Sequence, residues 1–477
     1  VNDPKLRPRA AVAVRRILQS VASELGPEWS TDLDAIASQV SESAPALFGD
    51  TFDRWRELYR GAQDQLNDAN RRQNIPGLTG KERNAARAEW NQATEQLRML
   101  EAGKDSGGSD FYTYRYLATE GFLPGYNFPR LPLYAFVPGS GAPGARSAFL
   151  QRARFLAIAE FGPRSLIYHE GRAYRVHKAR LPASAREDNG QRLVTSSVWI
   201  CDGCGAAHMA HEPELCHACD ASMAGIVAVT NTIRIENVET LPTERITAND
   251  EERQRQGFDI QTVFEWPRRQ DGMLDVKRAV ASDGDGEILL IDYATGAEIS
   301  RLNKGLRRRA NKSLFGFGIN PATGRWEKAP EEEGEAQPDP DKTVTQRVVP
   351  IVRDAKNAAL LRIAGDELSA GAMATVQHAI SRGLDLVFQL EEGETLAEPV
   401  PERANRRAIL TFEATEGGAG VLRRLIDDEG AIARVAKTAL ELMHYKEVDA
   451  AIAAADPALL KEIDAPACVR GCSVDLL

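Results

Sequence analysis

The sequence predicts an α+β multidomain chain: an N-terminal helical region, a β-rich middle with an inserted cysteine ribbon, and a C-terminal α/β domain. Three observations predict it. Apolar residues recur at helical spacing through the first hundred positions. From residue 108 onward, short β-rich runs alternate with Gly/Asp turns and are interrupted once by WICDGCGAAHMAHEPELCHACD at 199–220. After residue 345, strand-like runs and amphipathic segments alternate. At 477 residues the chain has length for about two to four domains, each with its own core.

The helical region spans residues 1–107. Ala11, Val14, Ile17, Leu18 and Val21 share one helical face, and Pro27 stops that run. Ser30 or Thr31 is placed to cap a second helix carrying Leu33, Ile36 and Val40. A third carries Phe52, Trp55, Leu58, Tyr59 and Leu66. After the turn Asn74-Ile75-Pro76-Gly77, a polar helix runs over Lys81–Leu100. The last two form an αα-hairpin with a charged outside, read as a solvated hairpin rather than an arm for a partner.

Residues 108–327 form the β-rich domain. Gly103 to Ser109 predicts a flexible connection into it. Nine aromatics then crowd residues 111–136, and Pro124, Gly125, Pro129 and Pro132 exclude a long helix. The expectation is an aromatic-packed loop leading into a strand at Leu133–Val137. Arg115 and Arg130, set among those rings, are candidates for stacking on nucleic-acid bases, although packing between domains is the favoured reading. Phe155–Glu160 reads as a short strand or helix, and Ser165–Glu170 with Ala173–Ala179 as a hairpin. His169 and His177 lack a surrounding carboxylate constellation and read as surface or core histidines.

Within this domain Cys201, Cys204, Cys216 and Cys219 form two C-x-x-C pairs, with β-rich runs on either side at about 193–235. Two such knuckles deliver four thiolates to one tetrahedral ion, so the pattern predicts a zinc ribbon. A disulfide pair or unconnected buried thiols are the alternatives. His208, His211 and His217 offer substitute ligands, but four thiolates close the shell and leave no position for a reacting water. The predicted zinc is therefore structural.

Strands are expected at Ile260–Trp266, Val276–Ala281, Glu287–Asp292 and Ser313–Gly318, with turns at 282–286 and at Thr295-Gly296. Net charge is −10, yet Arg301 to Lys312 holds six bases and no acid. Whole-chain charge is thus a poor guide to a binding face. Arg307, Arg308, Arg309 and Lys312 precede the aromatic Phe315–Phe317 and are candidates for phosphate contacts; a plain solvated face is equally consistent.

Residues 328–344 are an acidic linker, and 345–477 the last domain. Strands are expected at Val348–Val352, Leu384–Leu390 and Ala408–Thr415, and helices at Ala372–Gly383, from Val421, and at Ala431–Met443 and Val448–Ala455. Gly417-Gly418-Ala419-Gly420 sits at a strand-to-helix junction, where amides can receive phosphate; close packing is the favoured reading. No G-x-x-x-x-G-K-[ST], G-x-S-x-G or H-E-x-x-H occurs, so no catalytic residue is assigned. Glu391, Glu392 and Glu394, or Glu413 and Glu416, are weak candidates for magnesium. Cys468 and Cys472 are free thiols or half of a second, incomplete metal site. No run approaches the length of a membrane span, and few, metal-spaced cysteines fit a reducing cytoplasm.

Several runs, in order, resemble the C-terminal half of superfamily 2 helicases of the DISARM DrmA-like type. They are YRYLATEGFLPGYNFPRLPLYAF (114–136), FLAIAEFGPRSLIYHEGRAYRV (155–176) and the C-x-x-C pairs. In the last domain TVQHAISRGLDLVFQLEEGE (375–394), FEATEGGAGVLRRL (412–425) and ACVRGC (467–472) resemble the MrfA-type zinc-binding domain. The resemblance covers patches of residues 108–477. It implies an accessory, DNA-engaging region of a helicase in antiphage defence or DNA repair, working beside a helicase motor domain or a defence-system subunit. ATP would act only through that missing or partner motor, and this chain alone would be inactive. That family carries four cysteines in its C-terminal module, where only Cys468 and Cys472 fit here. With Val1 at the start, this leads us to expect a chain truncated at both ends. The rival expectation is a stand-alone scaffold that recruits a helicase or nuclease without touching DNA. A metal-dependent hydrolase using the glutamates after 390 is the weakest reading.

Overall fold

In a computed structural model the described residues are 5–22, 32–77, 79–101, 116–117, 122–123, 132–138, 148–181, 185–187, 192–235, 237–245, 257–269, 271–284, 286–329, 345–365, 368–415 and 418–462. The chain divides into two units. One comprises Val1–Leu131 and Pro182–Ser184, the other Pro132–Leu181 and Ala185–Leu477.

The first unit is helical, as expected: α1 (Arg7–Ser20), α2 (Leu33–Thr51), α3 (Asp53–Gln73) and α4 (Gly80–Glu101). The cap of α2 is Asp32, one residue past the expected Ser30 or Thr31; its carboxylate accepts from the Asp34 and Ala35 amides. A capping box starts α4, with Thr79 Oγ1 accepting from the Glu82 amide and Glu82 accepting from the Thr79 amide. Helices α3 and α4 run antiparallel, Trp55 Nε1 donating to the Leu100 carbonyl at one end and Gln73 to the Ala86 carbonyl at the other. Ala62, Ala69, Ala86 and Ala93 are buried in the hairpin, each pair one heptad apart, so small residues let the backbones approach.

The second unit starts with β1 (Leu133–Val137), β2 (Ala148–Arg152), α5 (Arg154–Glu160), β3 (Leu166–His169) and β4 (Arg172–Arg180). Next come the paired fragments β5 (Arg186–Glu187) and β6 (Arg192–Leu193), then β7 (Ser196–Ile200), β8 (Ala207–His208), β9 (Val229–Arg234) and β10 (Asn237–Arg245). Further strands are β11 (Phe258–Glu265), β12 (Lys277–Ser282), β13 (Glu287–Leu306), β14 (Phe317–Ile319), β15 (Trp326–Glu327) and β16 (Gln346–Ile363). The chain continues through α6 (Ala370–Val387), β17 (Thr395–Glu402), β18 (Asn405–Glu413), α7 (Val421–Asp427) and α8 (Ala431–Leu442). It ends in β19 (Tyr445–Lys446), α9 (Val448–Ala454) and β20 (Lys461–Glu462).

A five-stranded sheet has the order β2-β1-β10-β4-β3, with β1 parallel to β10 and the other pairs antiparallel. An eleven-stranded sheet is organised by two long strands. β13 pairs β16 from Leu289 opposite Ile363 to Leu302 opposite Ile351. β13 also takes β12 along its first half and β11 along its second. β16 adds β14, β9 in parallel, and the hairpin β17–β18.

Three expected elements differ. The strand expected over Ser313–Gly318 begins only at Phe317, as β14, because Asn311 Oδ1 takes the Ser313 amide in a turn. Where the sequence predicts a strand ending at Asp292 and a turn at Thr295-Gly296, β13 is continuous. Gly296, at φ +73°, absorbs an extra residue as a bulge between Ala294 and Ala297. Leu384–Leu390 is not a strand, because α6 runs on to Val387. Gly383 lies against the Val435 backbone of α8, and this close approach holds Leu384 in the core. The acidic segment 328–344 does not divide the sheet, since β16 lies on one side of it in sequence and both β13 and β9 on the other. Helices α6, α7 and α8 cover the face presenting Leu289, Ile291, Ala359, Leu361 and Ile409. Among the described residues no helix is long and apolar enough to cross a membrane.

Candidate metal centre and basic cleft

The strands β7 and β8 enter the cysteine region as a tight hairpin, pairing Trp199 with His208 and Ile200 with Ala207. The two knuckles then repeat one geometry. In the first, the Cys201 amide donates to the Ala206 carbonyl, the Gly205 amide to the Cys201 carbonyl and the Gly203 amide to Cys201 Sγ. In the second, the Cys216 amide donates to Ala221, the Asp220 amide to Cys216 and the Ala218 amide to Cys216 Sγ. The residue after each second cysteine has positive φ: +78° at Gly205 and +57° at Asp220. Each turn reverses there, and this reversal aims the two sulfurs of a pair inward.

The four sulfurs converge to within 4.8 Å of one another. Cys201 Sγ lies 3.6 Å from Cys219 Sγ, and Cys204 Sγ 3.6 Å from Cys216 Sγ. A disulfide needs about 2.05 Å, so neither pair is bonded. Tetrahedral zinc with Zn–S of about 2.3 Å places its sulfurs about 3.8 Å apart, which these separations match. Hydrogen bonding from the other three thiols pulls Cys201 below the ordinary thiol range and pushes Cys204 above it. One thiolate shared among four groups behaves this way, and a dication at the centre stabilises all four as thiolates. The donor set fits structural zinc.

The ribbon is no appendage. Cys201, Cys204 and Cys216 belong to a core cluster with Phe264, Trp266, Val400, Leu410 and Phe412. A Cβ on Gly205 would lie 2.7 Å from Val400 Cβ and 2.9 Å from Pro401 Cα. The knuckle therefore rests directly on β17. His208 and His217 pack beside the quartet, ring centroids 4.6 Å apart, rather than joining it. His217 Nε2 accepts from the Trp266 amide at 3.3 Å. Burial, with His208 and Arg268 nearby, lowers His217 to about 4, so the ring is neutral and its proton sits on Nδ1, facing His208. His211 is exposed.

The basic run divides by direction. Arg309 turns inward: its guanidinium pairs with Asp259 at 2.8 Å, donates to the Leu306 and Lys312 carbonyls, and lies over the Phe315 ring. Arg307, Arg308 and Lys312 are exposed and have no carboxylate partner among the described residues. Arg307 Nε donates to the Phe258 carbonyl and Lys312 Nζ to the Arg307 carbonyl, which orders the turn. Behind it lies a cleft of about 540 Å³ between β11 and the β17–β18 turn, floored by Arg301 and Lys304. Arg403, on that turn, lines the same cleft. No short-range pattern marked it, because it joins Arg307 only through strand pairing.

The remaining candidates divide as follows. Glu413 is buried; its two oxygens accept from Asn357 Nδ2 and from the Leu422 amide at the start of α7. Its carboxylate occupies the space a Cβ on Gly418 would need. The glycine run thus serves close packing, and Glu413 takes the α7 amide that a phosphate would have used. Glu394 accepts from the Glu391 amide within a turn. Among the described residues, the cysteine quartet is the one group of three or more metal-ligating side chains. Arg115, Arg130, Glu416, Cys468 and Cys472 lie outside the described residues.

No protein-family model and no curated protein matches the chain. Among solved structures, it is similar to the DUF1998 helicase MrfA bound to DNA, at TM-score 0.31 and 9% identity, over 65% of this chain and 29% of that one. It is also similar to the same helicase bound to DNA and AMPPNP, at TM-score 0.23 and 8% identity, over 65% and 27%. The chain spans less than a third of the length of those proteins. Scores of this size establish neither a common fold nor a common activity.

Proposed function

We propose that this chain is a zinc-containing, DNA-engaging accessory region of a helicase, serving antiphage defence or DNA repair beside an ATP motor it does not itself contain. The observation that carries the DNA-engaging reading is the turn after β13. Arg307, Arg308 and Lys312 face solvent without carboxylate partners, while Arg309 and the backbone hold the turn in shape. Ordered cations without counter-charges are what phosphate contacts require. The quartet supplies order, not chemistry: four thiolates leave no open coordination position. The ordered sequence runs that resemble DrmA-like and MrfA-type helicases support the choice of machine, and the lack of a Walker A sequence supports a separate motor.

Titration of single- and double-stranded DNA at several salt concentrations tests this. Affinity should fall steeply as salt rises, and the chain alone should hydrolyse no ATP. Salt-independent binding, or none, removes the DNA-engaging reading and favours a recruiting scaffold. Robust ATP turnover removes the accessory reading.

A further inference from the structure

The cleft behind the basic turn carries a more specific assignment. Its lining includes three carboxylates, and each is already paired with a held base. Glu398 pairs with Arg301 at 2.8 Å, Glu402 with Lys304 at 3.5 Å, and Asp259 with Arg309 at 2.8 Å. Arg301 is fixed further, donating to the Phe155 carbonyl and lying 4.8 Å over the Phe155 ring. Gln261 Nε2 donates to the Pro401 carbonyl at 2.9 Å and so ties the two walls together. Once these pairs are counted, two guanidinium groups of the lining remain without an anion among the described residues: Arg307 on one wall and Arg403 on the other.

Two arginines of this kind, on opposite walls of a pre-tied cleft, suit an anion that accepts from both sides. Phosphate oxygens do so, and guanidinium forks match them. About 540 Å³ is a small-ligand volume with room for roughly one nucleotide, whereas a duplex is too broad to enter. Exposed Arg308 follows Arg307 directly, and exposed Lys312 donates to the Arg307 carbonyl, so further cations without carboxylate partners among the described residues adjoin that wall. An isolated phosphate needs only the pair lining the cleft; additional cations beside it suit a linear polyanion. Resting on the DNA-engaging reading above, we infer that the cleft seats a single-stranded phosphodiester backbone, with one phosphate held between Arg307 and Arg403.

The test uses the full chain, fluorescently labelled oligothymidylate, the matching duplex, and thymidine monophosphate and inorganic phosphate as competitors. Arg307→Ala and Arg403→Ala should each weaken oligothymidylate binding about tenfold and reduce the salt slope by about one. Duplex affinity should change less. Lys446→Ala, an exposed charge loss outside the cleft lining, should bind like the parent. Arg403 is an exposed turn residue, so its variant should melt with the parent, and that melt separates binding loss from misfolding. If oligothymidylate binds but both arginine variants match the parent, the cleft assignment falls and the DNA-engaging reading survives. Equal losses for single strand and duplex overturn the strand-in-cleft geometry. If only thymidine monophosphate or inorganic phosphate binds, in an Arg403-dependent way, the ligand is a small phosphate and the DNA-engaging reading falls as well. Binding of none of these probes overturns both.

Discussion

The cysteine quartet and the basic turn are the two densest chemical signals in the chain, and tertiary structure treats them in opposite ways. All four sulfurs of the quartet turn inward and meet within 4.8 Å. The basic run splits, with Arg309 committed to Asp259 while Arg307, Arg308 and Lys312 stay outside. A metal shell requires convergence, and two C-x-x-C turns impose it over a few residues. Phosphate contact requires only charge and exposure, and neither is encoded by neighbours in sequence. Residues of one type in one run can therefore have different roles.

The sharpest way to break the contrast is to remove a thiolate. Cys204→Ser, or exhaustive chelation, should cost on the order of 5 kcal/mol and lower the melting temperature of the β-sheet unit as a whole, since the quartet lies in its core. Metal analysis should give one zinc per parent chain and little in the variant. A melt unchanged by chelation would remove the metal from the stability argument. Next in size is Gly205→Ala, which combines positive φ with a Cβ pressed on Val400 and Pro401. About 2–4 kcal/mol should be lost, read by urea unfolding. Arg309→Ala should cost about 1–2 kcal/mol, because its guanidinium is largely buried against Asp259. The smallest stability effect belongs to Arg308→Ala: within about 0.5 kcal/mol of the parent, with DNA affinity lowered a few-fold and the salt slope reduced by about one. If Arg308→Ala destabilised more than Arg309→Ala, the inward and outward assignments would have to be exchanged.

Much of the fold was readable where interactions are local. The helices of the first unit follow from periodicity and caps, with only the cap of α2 displaced to Asp32. The C-x-x-C knuckles follow from spacing. What was not readable depended on distant partners. Leu384 to Leu390 alternates like a strand, yet packing of Gly383 on α8 carries the helix through to Val387. Thr295-Gly296 reads as a turn, yet pairing with β16 keeps β13 in one piece across a bulge. Glu413 reads in sequence as a candidate for magnesium; in the fold it is buried and caps α7.

The sequence by itself determined which four cysteines converge and where the helical region lies, because turns and helices are written in contacts a few residues long. Only the tertiary structure decided that strands on both sides of the acidic segment share one sheet, that the ribbon is part of its core, and that Arg403 faces the cleft with Arg307. Those outcomes follow from strand pairing between residues tens of positions apart, where many registers satisfy the local pattern and packing selects one.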